Sequence, residues 1–558
     1  MAAPSGSEDR DDYADAIANF RLDDITKLLS GDLETGINAC VECCDRHVAG
    51  GGTALHYISA DGRQETYSFA QMQKLSARFA NLLAEEGVKP GDVVAGMLPR
   101  TPALLAIILG TWRAGAVYQP LFTAFGPKAI EHRLQMSDAR LVVTDTANRG
   151  KLEGIAALPR VVLVGSGDST ASSSGDLDFD SAMARQSEEF APVMRSGDDL
   201  FLMMSTSGTT GLPKGVPVPL KALAAFLVYM RDAVELRADD VFWNIADPGW
   251  AYGLYYAVTG PLVLGHATTF YDGPFTAAST YDIIKRYGIT NLAGSPTAFR
   301  LLIAAGPEAA AEVKGQLRAV SSAGEPLNPE VIRWFAEHLD APIHDHYGQT
   351  ELGMVVNNHH RLRHHVHPGS AGHAMPGYRV AVLDDGGREL PAHKPGILAV
   401  DIAKSPLLWF SGYWQQPTPA IADGYYRTGD TVEMEEDGRI SFVGRADDVI
   451  TSSGYRIGPF DVESALIEHP AVIEVAVIGK PDPERTEIVK AYVVLREGTE
   501  ASTELAEELR LYVKERLSAH AYPREIEFTE ALPKTPSGKL QRFMLRNREK
   551  AKTDSDAA

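Results

Sequence analysis

Residues 205–215 read Ser-Thr-Ser-Gly-Thr-Thr-Gly-Leu-Pro-Lys-Gly and follow an apolar run at 200–204. An apolar run of this length, bounded by small polar residues and glycine, predicts a buried strand. Five hydroxyls, two glycines and a lysine fall within the next ten positions. Glycine lets backbone approach a ligand closely, and N–H groups with hydroxyls can wrap phosphate oxygens. Lys214 adds a compact positive charge. A Walker A loop ends in Gly-Lys-Ser/Thr, whereas Lys214 follows a proline and precedes a glycine, so this is not a P-loop element. A plain Ser/Thr/Gly linker has no reason to follow a buried strand or to end in Pro-Lys-Gly. The stretch reads as a phosphate cradle at the tip of a strand.

Upstream, residues 68–86 carry a helical period, and 92–97 and 140–144 read as buried strands. A helix from about 103 to 115 lies between them. This βαβ rhythm implies a parallel sheet covered by helices. Residues 165–175 (GSGDSTASSSG) read as a polar, flexible loop. Alternation resumes at Asp199 and runs to about Val443. After Gly444 segments shorten and charge density rises. Residues 462–467 read as helix, 472–478 and 490–495 as strands, and 505–517 as an amphipathic helix. At 558 residues the chain is too long for one core. The expected fold is a large α/β N-terminal domain, residues 1–444, plus a small α+β C-terminal domain, residues 445–558, joined by a hinge.

The formal net charge of −21 disfavours nucleic acid and anionic membranes as partners. Any anionic ligand must be held by a local cluster of donors. Three cysteines, Cys40, Cys43 and Cys44, fall within five positions, which is no disulfide framework and suits a reducing compartment. The acidic start MAAPSGSEDRDDYADA has no apolar core, so it is no secretory signal. The most apolar stretch, 103–112, is about half a membrane span. These features read as a cytoplasmic protein with no membrane span.

The loop at 205–215 resembles the phosphate-binding signature of the adenylate-forming superfamily, which includes acyl-CoA synthetases, luciferases and peptide-synthetase adenylation domains. Five further stretches match that superfamily in its usual order, across about residues 50–545: SAGEP at 322–326, DHYGQTELG at 345–353, YYRTGD at 425–430, GRADDVITSSGYRIG at 444–458 and PKTPSGKLQR at 533–542. The resemblance implies that ATP phosphates meet Thr206, Ser207, Gly208, Thr209, Thr210, Gly211 and Lys214. Gly324, Glu325 and Pro326 stack along adenine, and Asp345, His346 and Tyr347 border it. Thr350 touches the α-phosphate and Glu351 holds Mg²⁺, a hard cation that favours a carboxylate with phosphate oxygens and water. Asp430 takes the ribose hydroxyls, with Arg445 as a second ribose or phosphate contact. Asp447 is the hinge residue. Gly454 leaves room for the pantetheine of coenzyme A, with Tyr455 beside it, and Arg456 contacts phosphate. Lys539, after Ser-Gly, is the catalytic lysine; Lys534 is not.

The implied reaction has two halves. A carboxylate attacks the α-phosphate of ATP and pyrophosphate leaves, so catalysis is mainly positioning and charge stabilisation by Lys539, Glu351 with its Mg²⁺, and donors such as Thr206. The CoA thiol then attacks the acyl-adenylate and AMP leaves. Rotation about Asp447 exchanges the faces bearing Lys539 and Gly454. Residues 246–253 (ADPGWAYG) resemble the acetyl-CoA and medium-chain acyl-CoA synthetase branch of fatty acid metabolism, with Trp250, Ala251 and Tyr252 at the acyl site. Gly348 stands where acetyl-specific members carry a tryptophan, which implies an opened pocket floor and short-to-medium, branched or aromatic acids. Tyr252 and Tyr255 could shorten that slot. An acetate- or propionate-specific ligase, a ligase loading an acyl carrier protein, and a silent nucleotide sensor are the rival readings. Lys539 is also a candidate for reversible acetylation by a lysine acetyltransferase and deacetylase. Two clusters read as structural rather than zinc-binding: Cys40, Cys43, Cys44 and His47 on one helix face, and His359, His360, His364, His365 and His367 in a loop near the acyl or pantetheine entrance. The sequence does not fix the oligomeric state.

Overall fold

A computed structural model describes residues 11–165, 175–206, 213–446, 448–452, 455–482, 485–517, 521–534 and 540–556, with the side chains of 455, 456, 550 and 553–556 outside the description. The chain forms a large α/β part followed by a small α+β part.

The first sheet has seven strands. In spatial order they are Leu177–Asp178, Arg160–Val164, Leu141–Asp145, Val93–Met97, Val117–Pro120, Leu200–Ser205 and Gly215–Pro219. All pairs are parallel except the last. The expected strands at 92–97 and 140–144 do pair in parallel, but the connection is longer than the simple βαβ reading. Helix Pro102–Arg113 leads into strand Val117–Pro120, and helix Pro127–Ser137 makes the return. The sequence hid that strand because it is four residues long and ends in proline. Helix Phe69–Glu85 starts where expected because Ser68 and Gln71 form a reciprocal capping box. Helix Pro102–Arg113 is almost entirely buried, consistent with its continuous apolar run.

Leu200–Ser205 and Gly215–Pro219 form an antiparallel hairpin, with Ser205 opposite Gly215 and Thr206 N–H donating to Lys214 O at 3.0 Å. Thr206 and Lys214 therefore meet at the end of a buried sheet.

A second sheet orders Phe242–Asn244, Asn291–Gly294, Ala319–Ala323, Ile343–Gln349, Gly353–Asn357 and His373–Ala374. Its first four strands run parallel, so the ends of Ala319–Ala323 and Ile343–Gln349 deliver residues 324–326 and 347–350 to one edge. A third, antiparallel sheet sets Asp430 on strand Tyr425–Met434 directly opposite Arg445 on strand Ile440–Arg445.

The small part carries its own sheet, ordered Tyr455–Ile457, Ile450–Ser452, Thr486–Leu495 and Val472–Asp482, with Glu525–Phe528 alongside Thr486–Leu495. Its separate core includes Ile450, Val462, Leu466, Val477, Val493, Leu509 and Val513. The expected helices appear as Pro459–Ile467 and Thr503–Arg516. Among the described residues, no helix is long and apolar enough to cross a membrane.

Both discounted clusters differ from their sequence reading in geometry. Helix Ala39–Cys43 ends before Cys44, whose φ and ψ of −142° and −65° break it, so His47 sits in a 3₁₀ turn rather than on the same face. All three cysteines are free and buried. His359 and His360 are buried within the large part rather than placed in a loop at an entrance. His360 stacks on His344 at 3.8 Å, and His359 lies 5.7 Å from the ring of Tyr13.

Candidate active site

A cavity of about 680 Å³ opens between the large and small parts. It gathers thirteen of the residues singled out in the sequence: Thr206, Lys214, Gly324, Glu325, Pro326, Asp345, His346, Tyr347, Gly348, Thr350, Glu351, Asp430 and Arg445. They come from the hairpin, two strand ends of the second sheet and two strands of the third. From the small part, Lys534, Leu540, Gln541 and Arg542 face the same space. Residues Ser207, Gly208, Thr209, Thr210, Gly211, Asp447, Gly454 and Lys539 lie outside the described residues, as do the side chains of Tyr455 and Arg456.

Asp430 anchors one wall. Its carboxylate is buried and accepts from Tyr347 Oη at 2.5 Å and from Gln349 Nε2 at 2.9 Å. Arg445 Nε stands 3.4 Å from its other oxygen. Burial, with the Asp430 charge second, pushes the Tyr347 hydroxyl far above the usual tyrosine range, so it stays a donor. Gln349 continues the chain by accepting from Tyr426 Oη at 3.0 Å. An acid held this way presents oxygens of fixed direction, suited to vicinal hydroxyls.

Glu351, also buried, accepts from Tyr413 Oη at 2.8 Å. The Lys214 ammonium lies over the face of the same Tyr413 ring, 4.5 Å from its centre. Asp345 is buried, and burial raises its carboxyl well above the usual carboxylate range. Its Oδ1 has no hydrogen-bond partner among the described residues. His346 is neutral at any physiological pH, because burial, and then the His344 charge, push it down to about 3. Its Nε2 faces Asn358 O at 3.2 Å and its Nδ1 faces Tyr229 Oη at 2.7 Å, which fixes a tautomer with the proton on Nε2.

Glu325 is tied down by Thr297 Oγ1 at 2.9 Å and Arg300 at 3.3 Å. Gly324 needs its glycine, since φ is +98°. Arg542 enters from the small part, held by Glu463 through two bonds of 2.7 and 2.8 Å.

The residues expected at the acyl site fall elsewhere. Trp250, Ala251 and Tyr252 do not line this cavity. Trp250 packs on Phe122 and Phe125 at 5.4 and 5.2 Å. The open-floor reading of Gly348 meets a specific obstacle: a Cβ there would lie 2.1 Å from Gly353 O and 2.8 Å from Met354 Cα. That hydrogen points into the neighbouring strand, at a register shift between Tyr347 and Gly348. The glycine is demanded by backbone crowding.

Sequence reasoning missed Tyr413, Gln349, Arg300 and Arg542. Gln349 and Arg542 lie inside the quoted motifs. Nothing in the local sequence marks Tyr413, because its partners are 199 and 62 positions away.

Residues 44–414 match the AMP-binding enzyme family, and residues 461–539 match the AMP-binding enzyme C-terminal domain. The acetyl-coenzyme A synthetase of Bacillus subtilis is 40% identical over 522 residues, 91% of this chain and 90% of that protein. The mitochondrial acyl-coenzyme A synthetase ACSM4 of Rattus norvegicus is 36% identical over 509 residues, 89% of this chain and 86% of that protein. The crystal structure of a Brucella canis acyl-CoA synthetase superposes with a TM-score of 0.80 at 66% identity, over 97% of this chain and all of that one. The chain belongs to the AMP-binding enzyme family, the adenylate-forming superfamily, and within it to the AMP-forming acyl-CoA synthetases.

Proposed function

We propose that the protein converts short-to-medium-chain, branched or aromatic acids, with ATP and CoA, to acyl-CoA, AMP and pyrophosphate. The observation that carries the assignment of roles is the convergence of Thr206, Lys214, Glu351, Asp430 and Arg445 on one cavity that also receives residues 540–542 of the small part. In this reading Asp430 holds the ribose and Arg445 backs it. The 324–326 turn and Tyr347 flank adenine. Asp345, one of whose buried oxygens has no hydrogen-bond partner among the described residues, faces the base. Thr206 and Lys214 hold phosphate oxygens, with residues 207–211 completing the cradle.

Glu351 suits a hard cation. It is a buried carboxylate in a cavity that also offers Thr206 and Thr350 hydroxyls, and ATP itself supplies most of the oxygens that Mg²⁺ requires. When bound, Mg²⁺ neutralises charge on the phosphates. The protein's own part is to orient: Thr350 and Thr206 aim at the α-phosphate while Lys539 offsets the charge that builds as pyrophosphate leaves.

We assign residues 1–444 to adenylation and acyl binding and 445–558 to a mobile part that turns about Asp447. Support comes from the small part's contribution to the cavity. Lys534 and Leu540 pair through an isolated bridge and both line it. The opposite orientation would present Gly454 and Tyr455 to the acyl-adenylate for thiol attack, with Arg456 on phosphate. The acyl slot is assigned to the region of Trp250, Ala251 and Tyr252. We also place the protein in the cytoplasm and propose that acetylation of Lys539 silences it by removing its charge; mass mapping of Lys539, with activity before and after deacylation, tests this.

The test of the main proposal is a panel of acids from acetate to decanoate, with benzoate and branched acids. CoA-dependent AMP release is expected with a subset longer than acetate. Preference for acetate alone, or AMP release indifferent to CoA, contradicts it.

A further inference from the structure

We propose that Tyr413 is a positioning residue that couples the phosphate-binding lysine to the metal-binding carboxylate. This deepens the function proposed above and rests on the roles given there to Lys214 and Glu351.

Tyr413 makes two contacts of different chemistry. Its ring face lies under the Lys214 ammonium at 4.5 Å, a cation–π contact. Its hydroxyl donates to Glu351 Oε1 at 2.8 Å. The two partners adjoin different sheets: Lys214 precedes strand Gly215–Pro219, and Glu351 lies between strands Ile343–Gln349 and Gly353–Asn357. The tyrosine itself is fixed by its backbone. Its N–H donates to Thr418 Oγ1 at 2.8 Å, and the next residue, Trp414, donates its N–H to Gly215 O at 2.9 Å. Gly215 directly follows Lys214, so the segment carrying Tyr413 is pinned to the strand that begins just after the lysine. Phe410 closes the ring's edge at 5.3 Å.

The arrangement has a consequence for charge. Before nucleotide arrives, a cation and a carboxylate in one cavity could collapse onto each other. The aromatic ring holds the ammonium against its face and the hydroxyl occupies one oxygen of the carboxylate, so both stay aimed at the space for phosphates and metal. Outer partners that orient a metal-binding carboxylate commonly change metal affinity by about 10- to 100-fold when removed. Cation–π contacts of this partly buried kind correspond to about 2- to 30-fold.

Two substitutions separate the contacts. Tyr413→Phe keeps the ring and removes the hydroxyl; Tyr413→Leu removes both. Full-length protein is titrated with Mn²⁺ in the presence of α,β-methylene-ATP, and free Mn²⁺ is read by EPR. Affinity for the analogue alone is read by calorimetry in EDTA. Tyr413→Phe should weaken Mn²⁺ about tenfold and leave metal-free analogue binding within about twofold. Tyr413→Leu should also weaken metal-free binding about three- to tenfold, and adding Lys214→Met should cause little further loss. Glu351→Gln is the reference. If it weakens Mn²⁺ and Tyr413→Phe does not, the inference is wrong. If metal and analogue affinities fall in parallel for both Tyr413 variants, with a matching drop in melting temperature, Tyr413 only packs and the inference is again wrong. If Glu351→Gln leaves Mn²⁺ binding unchanged, the metal reading beneath it fails instead.

Discussion

Replacing Gly348 with alanine distinguishes two accounts of this position. By resemblance, the glycine widens an acyl pocket, and a methyl there should trim the range of acids. By structure, the added Cβ would sit 2.1 Å from Gly353 O and 2.8 Å from both Gly353 C and Met354 Cα. All three are backbone atoms, so relief requires the strands Ile343–Gln349 and Gly353–Asn357 to part by roughly 1 Å at their register shift. Overpacking of this kind costs about 1–3 kcal/mol. In large domains each kcal/mol lowers the melting temperature by about 2–4 °C. The strain falls between Tyr347 and Gln349, both donors to Asp430. The Michaelis constant for ATP should therefore rise, while acids keep their rank order. Differential scanning fluorimetry and acid-dependent pyrophosphate exchange over the acid panel report both. A variant that melts within about 1 °C of wild type and turns selective for acetate would refute the backbone argument.

Other substitutions follow from the same geometry. Asp430→Ala strips the acceptor from Tyr347 and Gln349 and leaves Arg445 without this partner; a loss of about 2–4 kcal/mol in ATP binding is expected by calorimetry, and unchanged affinity would exclude the ribose role. Lys539→Ala should abolish pyrophosphate exchange but spare thioester formation from supplied acyl-adenylate, and Gly454→Leu should do the reverse; equal loss of both steps in both variants would contradict the two-face account. Stability should decline on acidification below about pH 6.5. His346, His359 and His360 are held neutral by burial, with folded values well below the unfolded one, so at these sites the unfolded chain takes up protons first as pH falls, and for His346 this holds down to about 3. Each contributes up to about 1.4 kcal/mol per pH unit, and His346→Gln should flatten the slope of urea midpoints between pH 6.5 and 5; an unchanged slope would show that His346 takes no part.

Much of this was legible in the sequence, for identifiable reasons. Strands such as Val93–Met97 and Leu141–Asp145 announce themselves through apolar runs, and helix Phe69–Glu85 through its helical period. The cavity residues sit in compact motifs because each motif is one strand end or turn, so neighbours in sequence remain neighbours in space. What stayed hidden depends on long-range contact. Strand Val117–Pro120 is stabilised by its partners on either side rather than by its own pattern. Tyr413 acquires meaning only when two sheets bring Lys214 and Glu351 to it. Gly348 shows the converse: its residue type was noted, but the direction of its missing side chain depends on a register shift that local sequence does not encode.

The central claim is that the cavity joins a carboxylate oxygen to the α-phosphorus of ATP. Supplying an accepted acid labelled with ¹⁸O in both carboxyl oxygens, then analysing products by mass spectrometry, reads this bond directly. One ¹⁸O atom should appear in AMP, with pyrophosphate unlabelled. Label in inorganic phosphate with ADP as the nucleotide product, or unlabelled AMP, would contradict the account.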